Sequence, residues 1–228
     1  MSLWLERLSR EFSEAESSQI QVEIFNLKGL QTELESLSTE RLQEGLIRMA
    51  PYRLKYSGNL RHGRVETWQQ ANSYIAEKIQ TNQTPTWQDI LNLNALLTNQ
   101  VKSEIRTKPV YLGPFEACPP EELASSLEHF ENHILQNKAQ LHPLIATALC
   151  QYWLVSLHPF EDGNGRTSVV LSDWLLGLHG YLPMSFDTKI DGLIATLSND
   201  RVSATPGNAV IKLITNVQRS YRLVLNDA

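Results

Sequence analysis

The chain has 228 residues, enough for one domain or for one domain with terminal extensions. It is 42% hydrophobic and 20% charged, the make-up of an ordinary globular protein rather than a disordered or fibrous one. Its formal net charge of −5 leaves no excess of Lys and Arg to track a nucleic-acid backbone, so a nucleic-acid partner is not expected.

The first residues, MSLWLERLSREF, mix charges with apolar side chains and contain no apolar core of a classical signal peptide. No run approaches the ~18 apolar residues of a membrane span. The expectation is a protein made in a cytoplasm, with no membrane partner. Export by a non-classical route, as for an injected effector, stays open. Cys118 and Cys150 have neither disulfide-framework nor zinc-ligand spacing and read as buried thiols.

From Ile20, the positions Ile24, Leu27, Leu30, Leu34 and Leu37 recur every three or four residues, which places them on one helix face. Ser38 or Thr39 caps a second helix from about Glu40 to Met49, closed off by Pro51. Lys55 to Asn59 reads as a turn, and a helix from Glu66 to Ile79 follows. Thr84-Pro85-Thr86 opens another helix that ends near Thr98. Ile105 to Pro114 is rich in β-branched and aromatic residues but holds prolines, which predicts a short edge strand or hairpin. Pro119-Pro120-Glu121-Glu122 starts a helix to about Asn137, with Leu123, Leu127, Phe130 and Ile134 inward. Pro143 starts the next, Leu144 to Leu157, apolar almost all round and therefore central. After the segment 158–166 a helix runs to about Leu178, ended by Gly180 with Pro183 beyond. Two more helices, Ile190 to Leu197 and Asn208 to Leu225, complete an all-α chain with one small β element.

The chemistry concentrates in His158-Pro159-Phe160-Glu161-Asp162-Gly163-Asn164-Gly165-Arg166. Pro159 stops the preceding helix, so His158 sits at a helix end facing a loop. Gly163-Asn164-Gly165 opens the next helix, whose unpaired N–H groups and positive dipole end attract an anion. Arg166 opposes that dipole unless its guanidinium answers a phosphate. Asp162 beside the nest can hold Mg²⁺ on phosphate oxygens. A base, a carboxylate, an anion nest and an arginine together point to phosphoryl chemistry.

This string resembles the signature of the Fic (Fido) family, His-Pro-Phe-x-Asp/Glu-Gly-Asn-Gly-Arg-x-x-Arg, at His158, Pro159, Phe160, Asp162, Gly163, Asn164, Gly165 and Arg166. Arg106 to Gly113 is similar to the family's flap, a hairpin that aligns the target peptide. The resemblance spans roughly residues 85 to 200. It implies a Fic fold, a helical bundle around a central motif helix pair with a small β-hairpin flap. It also implies three parts: an N-terminal helical extension over 1–84, a Fic core over 85–200 and a C-terminal helix over 201–228.

By the same resemblance the activity is transfer of AMP from ATP to a Ser, Thr or Tyr hydroxyl of a target protein. His158 would be the catalytic base and Asp162 would hold Mg²⁺. The amides of Gly163, Asn164 and Gly165, with Arg166, would grip the phosphates. Thr107, Lys108, Pro109, Val110 and Tyr111 would form the target-binding flap, clamping by strand addition. Phe160 reads as a core anchor. A homodimer is left open. Transfer of a different phosphate-containing group, or a non-catalytic binding module of the same fold, are the alternatives.

Two departures stand out. The family's second arginine is Val169 here, which removes a contact to the γ-phosphate worth about 1.5–3 kcal/mol. Doc-type toxins, a kinase sister group, also lack it, but they typically carry Ala and Lys where this chain has Gly163 and Gly165. The family's inhibitory motif is likewise incomplete: Ser57 stands where its Glu would be and Arg53 where its Ser or Thr would be, and Glu44-Gly45 follows Glu40. The expectation is a chain without helix-borne autoinhibition. Glu44→Ala should therefore leave transfer rates unchanged in a labelled-nucleotide assay, whereas a sharp rise would mark Glu44 as inhibitory.

Overall fold

In a computed structural model, residues 11–56, 64–112, 115–135, 141–186 and 206–226 are described. Helix α1 (Glu14–Glu35) begins at a reciprocal cap, in which the Ser13 hydroxyl accepts from the Glu16 amide and the Glu16 carboxylate accepts from the Ser13 amide. Its stripe buries Ile20 and Leu27 as the spacing predicts. Helix α2 (Thr39–Tyr56) does not stop at Pro51 but carries on for more than a turn beyond it. A proline inside a helix costs about 3 kcal/mol, so tertiary contacts must hold this end. Gly45 lies so close to the C-terminal helix that a Cβ would fall 2.5 Å from the Val224 carbonyl oxygen, and Met49 is buried beside Leu223 and Val224. Past the proline, Arg53 is fixed by an ion pair described below.

Helix α3 (Arg64–Gln80) precedes α4 (Trp87–Thr98), whose start is the second capping box, Thr86 with Asp89. Strands β1 (Tyr111–Leu112) and β2 (Phe115–Glu116) pair antiparallel, Tyr111 opposite Glu116 and Leu112 opposite Phe115. The hairpin is narrower than the segment predicted for it. Residues 101–110 have no regular secondary structure, because the Arg106 side chain takes the surrounding carbonyls and Pro109 has no N–H to offer a ladder.

Helix α5 (Pro120–His129) passes into a π-helical turn, Phe130–Leu135. Of the inward set, Leu123, Leu127 and Phe130 are buried as expected, and Ile134, within the π turn, is half-buried against the same cluster. Helices α6 (Pro143–Leu157), α7 (Asn164–Gly177) and α8 (Gly207–Leu225) follow. The helix expected over Ile190 to Leu197 lies outside the described residues, as do residues 57–59 of the turn expected over Lys55 to Asn59; Lys55 and Tyr56 instead continue α2. Among the described residues, no helix is long and apolar enough to cross a membrane. Both cysteines are buried, and neither is in a disulfide.

Helices α6 and α7 form the centre. They pack on each other, α3 and α4 cover α7, the π turn rests on α6, and α8 lies across α1, α2 and α6. One apolar cluster gathers Phe130, Trp153, Leu157 and Phe160, and a second gathers Trp68, Trp174, Ile214 and Tyr221. Almost every side of α6 is buried, from Leu144 to Leu157, which is why its sequence shows no polar face.

Charge also enters this interior. The Arg53 guanidinium of α2 donates to the Asp173 carboxylate of α7 at 2.5 Å, and the Met184 amide donates to its other oxygen at 3.0 Å. Burial pushes the Asp173 carboxyl above the ordinary carboxylate range, and Arg53 and the Met184 amide oppose that rise. A carboxyl whose folded value lies above its unfolded one holds its proton more tightly when folded. Its contribution is therefore favourable below the unfolded value and is lost as pH rises through the folded one. Removing Arg53 raises the folded value further. Arg53→Met should accordingly cost about 3–5 kcal/mol at pH 8 and clearly less at pH 5, read by urea unfolding. Adding Asp173→Asn should recover most of the loss, and an equal cost at both pH values would mean that the buried charge is not the cause.

Candidate active site

The segment 158–166 links two central helices, and its shape follows from a few buried polar bonds. α6 ends at His158, which takes the left-handed conformation, φ 52 and ψ 56, with its amide on the Leu154 carbonyl. The ring Nδ1 lies 3.3 Å from the Val155 carbonyl oxygen. A carbonyl can only accept, so Nδ1 carries the proton in that contact and Nε2 carries the basic lone pair. The ring is half-buried rather than turned into the core.

Phe160 is the core anchor expected, 1% exposed and stacked on Trp87 with 6.0 Å between ring centroids. Asn164 closes the loop above it. Its side-chain oxygen accepts from the Phe160 amide at 2.9 Å and its side-chain nitrogen donates to the Phe160 carbonyl at 2.7 Å. The Asn164 side chain is thus a clamp, and only its backbone N–H is left to serve the nest.

Gly163 caps α7 at φ 83, and no side chain caps that helix start. The first bond of the helical ladder runs from the Thr167 amide to the Gly163 carbonyl, 2.8 Å. The amides of Asn164, Gly165 and Arg166 precede it, at the positive end of the helix dipole. The Gly163 amide instead donates to Asp162 Oδ1 at 2.6 Å. A glycine is required at 163 for a reason other than anion access: a Cβ there would lie 2.7 Å from Asn94 Nδ2 and 2.8 Å from Thr98 Cγ2 of α4.

Asp162 is exposed, 66% of its side-chain surface, while Arg166 beside it is buried at 8%. The Arg166 guanidinium donates to Asp162 Oδ2 at 2.8 Å and to the Leu97 carbonyl in the last turn of α4. A cation in the first turn of α7 is therefore stabilised by the negative end of α4 and by a carboxylate, without a bound phosphate. This corrects the reason the sequence gives for tolerating Arg166. Val169, one turn on, is 1% exposed within the apolar cluster.

The flap residues separate by exposure. Thr107, Lys108, Pro109 and Tyr111 are exposed and Val110 is half-buried. The Ala117 amide donates to the Val110 carbonyl at 2.8 Å, which makes 110 and 117 a hydrogen-bonded pair and 111 and 116 a non-bonded one. The N–H and C=O of Tyr111 therefore face away from β2, along the outer edge of the hairpin.

Sequence reading missed two residues that build the site. Asn94 is 2% exposed; its Nδ2 donates to the Asp162 carbonyl at 2.9 Å and to Thr167 Oγ1 at 3.1 Å, and its Oδ1 accepts from Ser103 Oγ at 2.5 Å. An asparagine on the apolar face that also carries Ile90, Leu93 and Leu97 was the available signal. Arg106 is 3% exposed and reaches the backbone of both His158 and the flap; burial lowers its guanidinium from its ordinary value. Glu44 sits on the exposed side of α2.

The described chain is helical and places a histidine at one helix end, six residues before the first residue of the next helix. Residues 84–176 match the model of the Fic/DOC family. Over 118 residues the chain is 36% identical to the protein adenylyltransferase Fic of Drosophila virilis, covering 50% of this chain and 24% of that protein. The chain thus spans about a quarter of the length of the curated relatives it matches. Among solved structures, a Fic-domain-containing signaling protein of Bacteroides thetaiotaomicron superposes with TM-score 0.68 at 19% identity, over 90% of this chain and 99% of that one. Fic-1 of C. elegans superposes with TM-score 0.74 at 18% identity, over 92% and 73% respectively. These likenesses establish the fold.

Gly163→Ala should destabilise the protein by at least about 1–2 kcal/mol, since it adds a left-handed non-glycine residue to a direct overlap with Asn94. Chemical unfolding measures this, and a neutral result would contradict the φ 83 turn.

Proposed function

We propose that this protein transfers AMP from ATP to a Ser, Thr or Tyr hydroxyl of a target protein, with His158 as base. The observation that carries the reading is the 3.3 Å contact between His158 Nδ1 and the Val155 carbonyl oxygen: an Nδ1–H engaged there leaves Nε2 as the atom that takes a proton. The names of the relatives, protein adenylyltransferases, support the choice of AMP and of a protein acceptor.

The target segment adds to the outer edge of β1, where the Tyr111 backbone groups are turned outward, and this sets its hydroxyl by main-chain bonds that tolerate sequence. His158 Nε2 takes the hydroxyl proton as the oxygen forms its bond to the α-phosphorus. The bond from that phosphorus to the bridging oxygen of the β-phosphate breaks, and pyrophosphate leaves with the electron pair. The amides of Asn164, Gly165 and Arg166 at the start of α7 stabilise the charge that builds on the phosphate oxygens. Gly163 shapes this start, and its own amide is engaged by Asp162.

Asp162 fits Mg²⁺, because it is a hard oxygen donor with most of its side chain exposed next to the anion site. When bound, Mg²⁺ supplies charge neutralisation on the phosphates. Arg166 holds Asp162 in place through its 2.8 Å ion pair and adds positive potential to the same rim.

A second reading rests on Val169. Its side chain is buried among apolar residues, so this position offers no cation to a γ-phosphate. A donor with two phosphates, or transfer of a different phosphate-containing group, would need none.

Incubation with α-labelled and γ-labelled ATP, Mg²⁺ and a lysate distinguishes the readings. Label on protein from the α position only is the expected result. His158→Ala should lower it roughly a hundredfold to ten-thousandfold, and a chelator should abolish it. Label from the γ position alone would make the protein a kinase, and no label from either would discard ATP as donor.

A further inference from the structure

We infer that Arg106 is a positioning residue that locks the flap and His158 into one rigid frame. The inference rests on the transfer reaction proposed above for its catalytic consequence, and on contacts alone for its structural part.

Every hydrogen bond found for the guanidinium goes to a backbone carbonyl. Nε donates to the His158 carbonyl at 2.6 Å, and one terminal nitrogen donates to the Leu157 carbonyl at 3.1 Å. These are end carbonyls of α6, which have no partner in the helical ladder and sit at the negative end of its dipole. The same terminal nitrogen donates to the Cys118 carbonyl at 2.6 Å, and the other to the Lys108 carbonyl at 2.7 Å. Lys108 lies before β1 and Cys118 after β2, so one side chain ties both legs of the hairpin. The Arg106 amide adds a bond to the Pro159 carbonyl at 2.9 Å.

The side chain is 3% exposed, and a buried cation that satisfies four carbonyls leaves all four unsatisfied when it is removed. His158 itself holds a left-handed backbone, φ 52, a conformation that persists in a non-glycine residue only where the surroundings over-determine it. Arg106 supplies part of that constraint through the His158 carbonyl. The distance between the β1 edge, which holds the target, and Nε2 of His158, which takes its proton, is thereby set by one planar group. Lysine cannot replace it, because a single ammonium on a flexible stem does not span carbonyls on three chain segments.

The test compares Arg106→Lys and Arg106→Ala with the unaltered protein. Both variants are checked for folding by circular dichroism and for nucleotide binding without target. Arg106→Lys is expected to keep nucleotide Kd and lower kcat for protein modification about a hundredfold, the loss associated with a misplacement of ~1 Å. Millimolar guanidinium ion should restore part of the kcat of Arg106→Ala. Wild-type kcat in Arg106→Lys, or parallel losses of kcat, nucleotide binding and folded fraction, would overturn the inference. If the unaltered protein transfers no AMP at all, the proposed reaction fails separately. The NMR signals of the His158 ring in Arg106→Lys then decide, with a changed Nδ1 proton signal supporting the frame and an unchanged one refuting it.

Discussion

Two hydrogen bonds between the Asn164 carboxamide and the backbone of Phe160 are the constraint on which the rest of the site depends. They close the chain between the end of α6 and the start of α7, so that a histidine and a row of bare amides come from opposite ends of one short loop. Both bonds are buried, where breaking either would strand a polar group at a cost of about 1–3 kcal/mol. The stacking of Phe160 on Trp87 seats the same loop on the core.

Around that closure the polar residues divide into two sets. Asn94, Ser103, Arg106 and Arg166 are buried and spend their hydrogen bonds on backbone carbonyls and on neighbouring polar side chains. His158 and Asp162 reach the surface. The buried set holds the loop and the flap still; the exposed set remains positioned to meet a ligand. This division is the usual requirement for a preorganised site, in which reactive groups are fixed by neighbours that do not themselves react. Arg53 and Asp173 extend it to the rear of α7, where an ion pair joins the N-terminal helices to the motif helix.

Much of the fold was legible because its signals are local. The Thr86 start, the prolines at 120 and 143 and the apolar run of α6 each carry their own physics, and the corresponding helices start where those signals lie. Pro51 misled because its local penalty is outweighed by contacts with α7 and α8, residues more than a hundred positions away. The flap was placed too early because Arg106, an unremarkable residue in the sequence, is occupied with carbonyls, and the ladder begins only at Val110, whose carbonyl accepts from the Ala117 amide.

What the residues determine alone is the chemistry on offer: an imidazole, a carboxylate, two glycines and a guanidinium within a short loop between two helices. Their spacing is covalent, and no tertiary contact is needed to bring them near one another. Which of them act as braces and which face outward was decided only by the folded chain. The Asn164 side chain turned inward to Phe160, Arg166 reached Leu97 on another helix, and Gly163 was required by Asn94 rather than by an anion. Each of those assignments depends on a partner distant in sequence, and hydrogen-bond partners at long range leave no periodic trace in the chain.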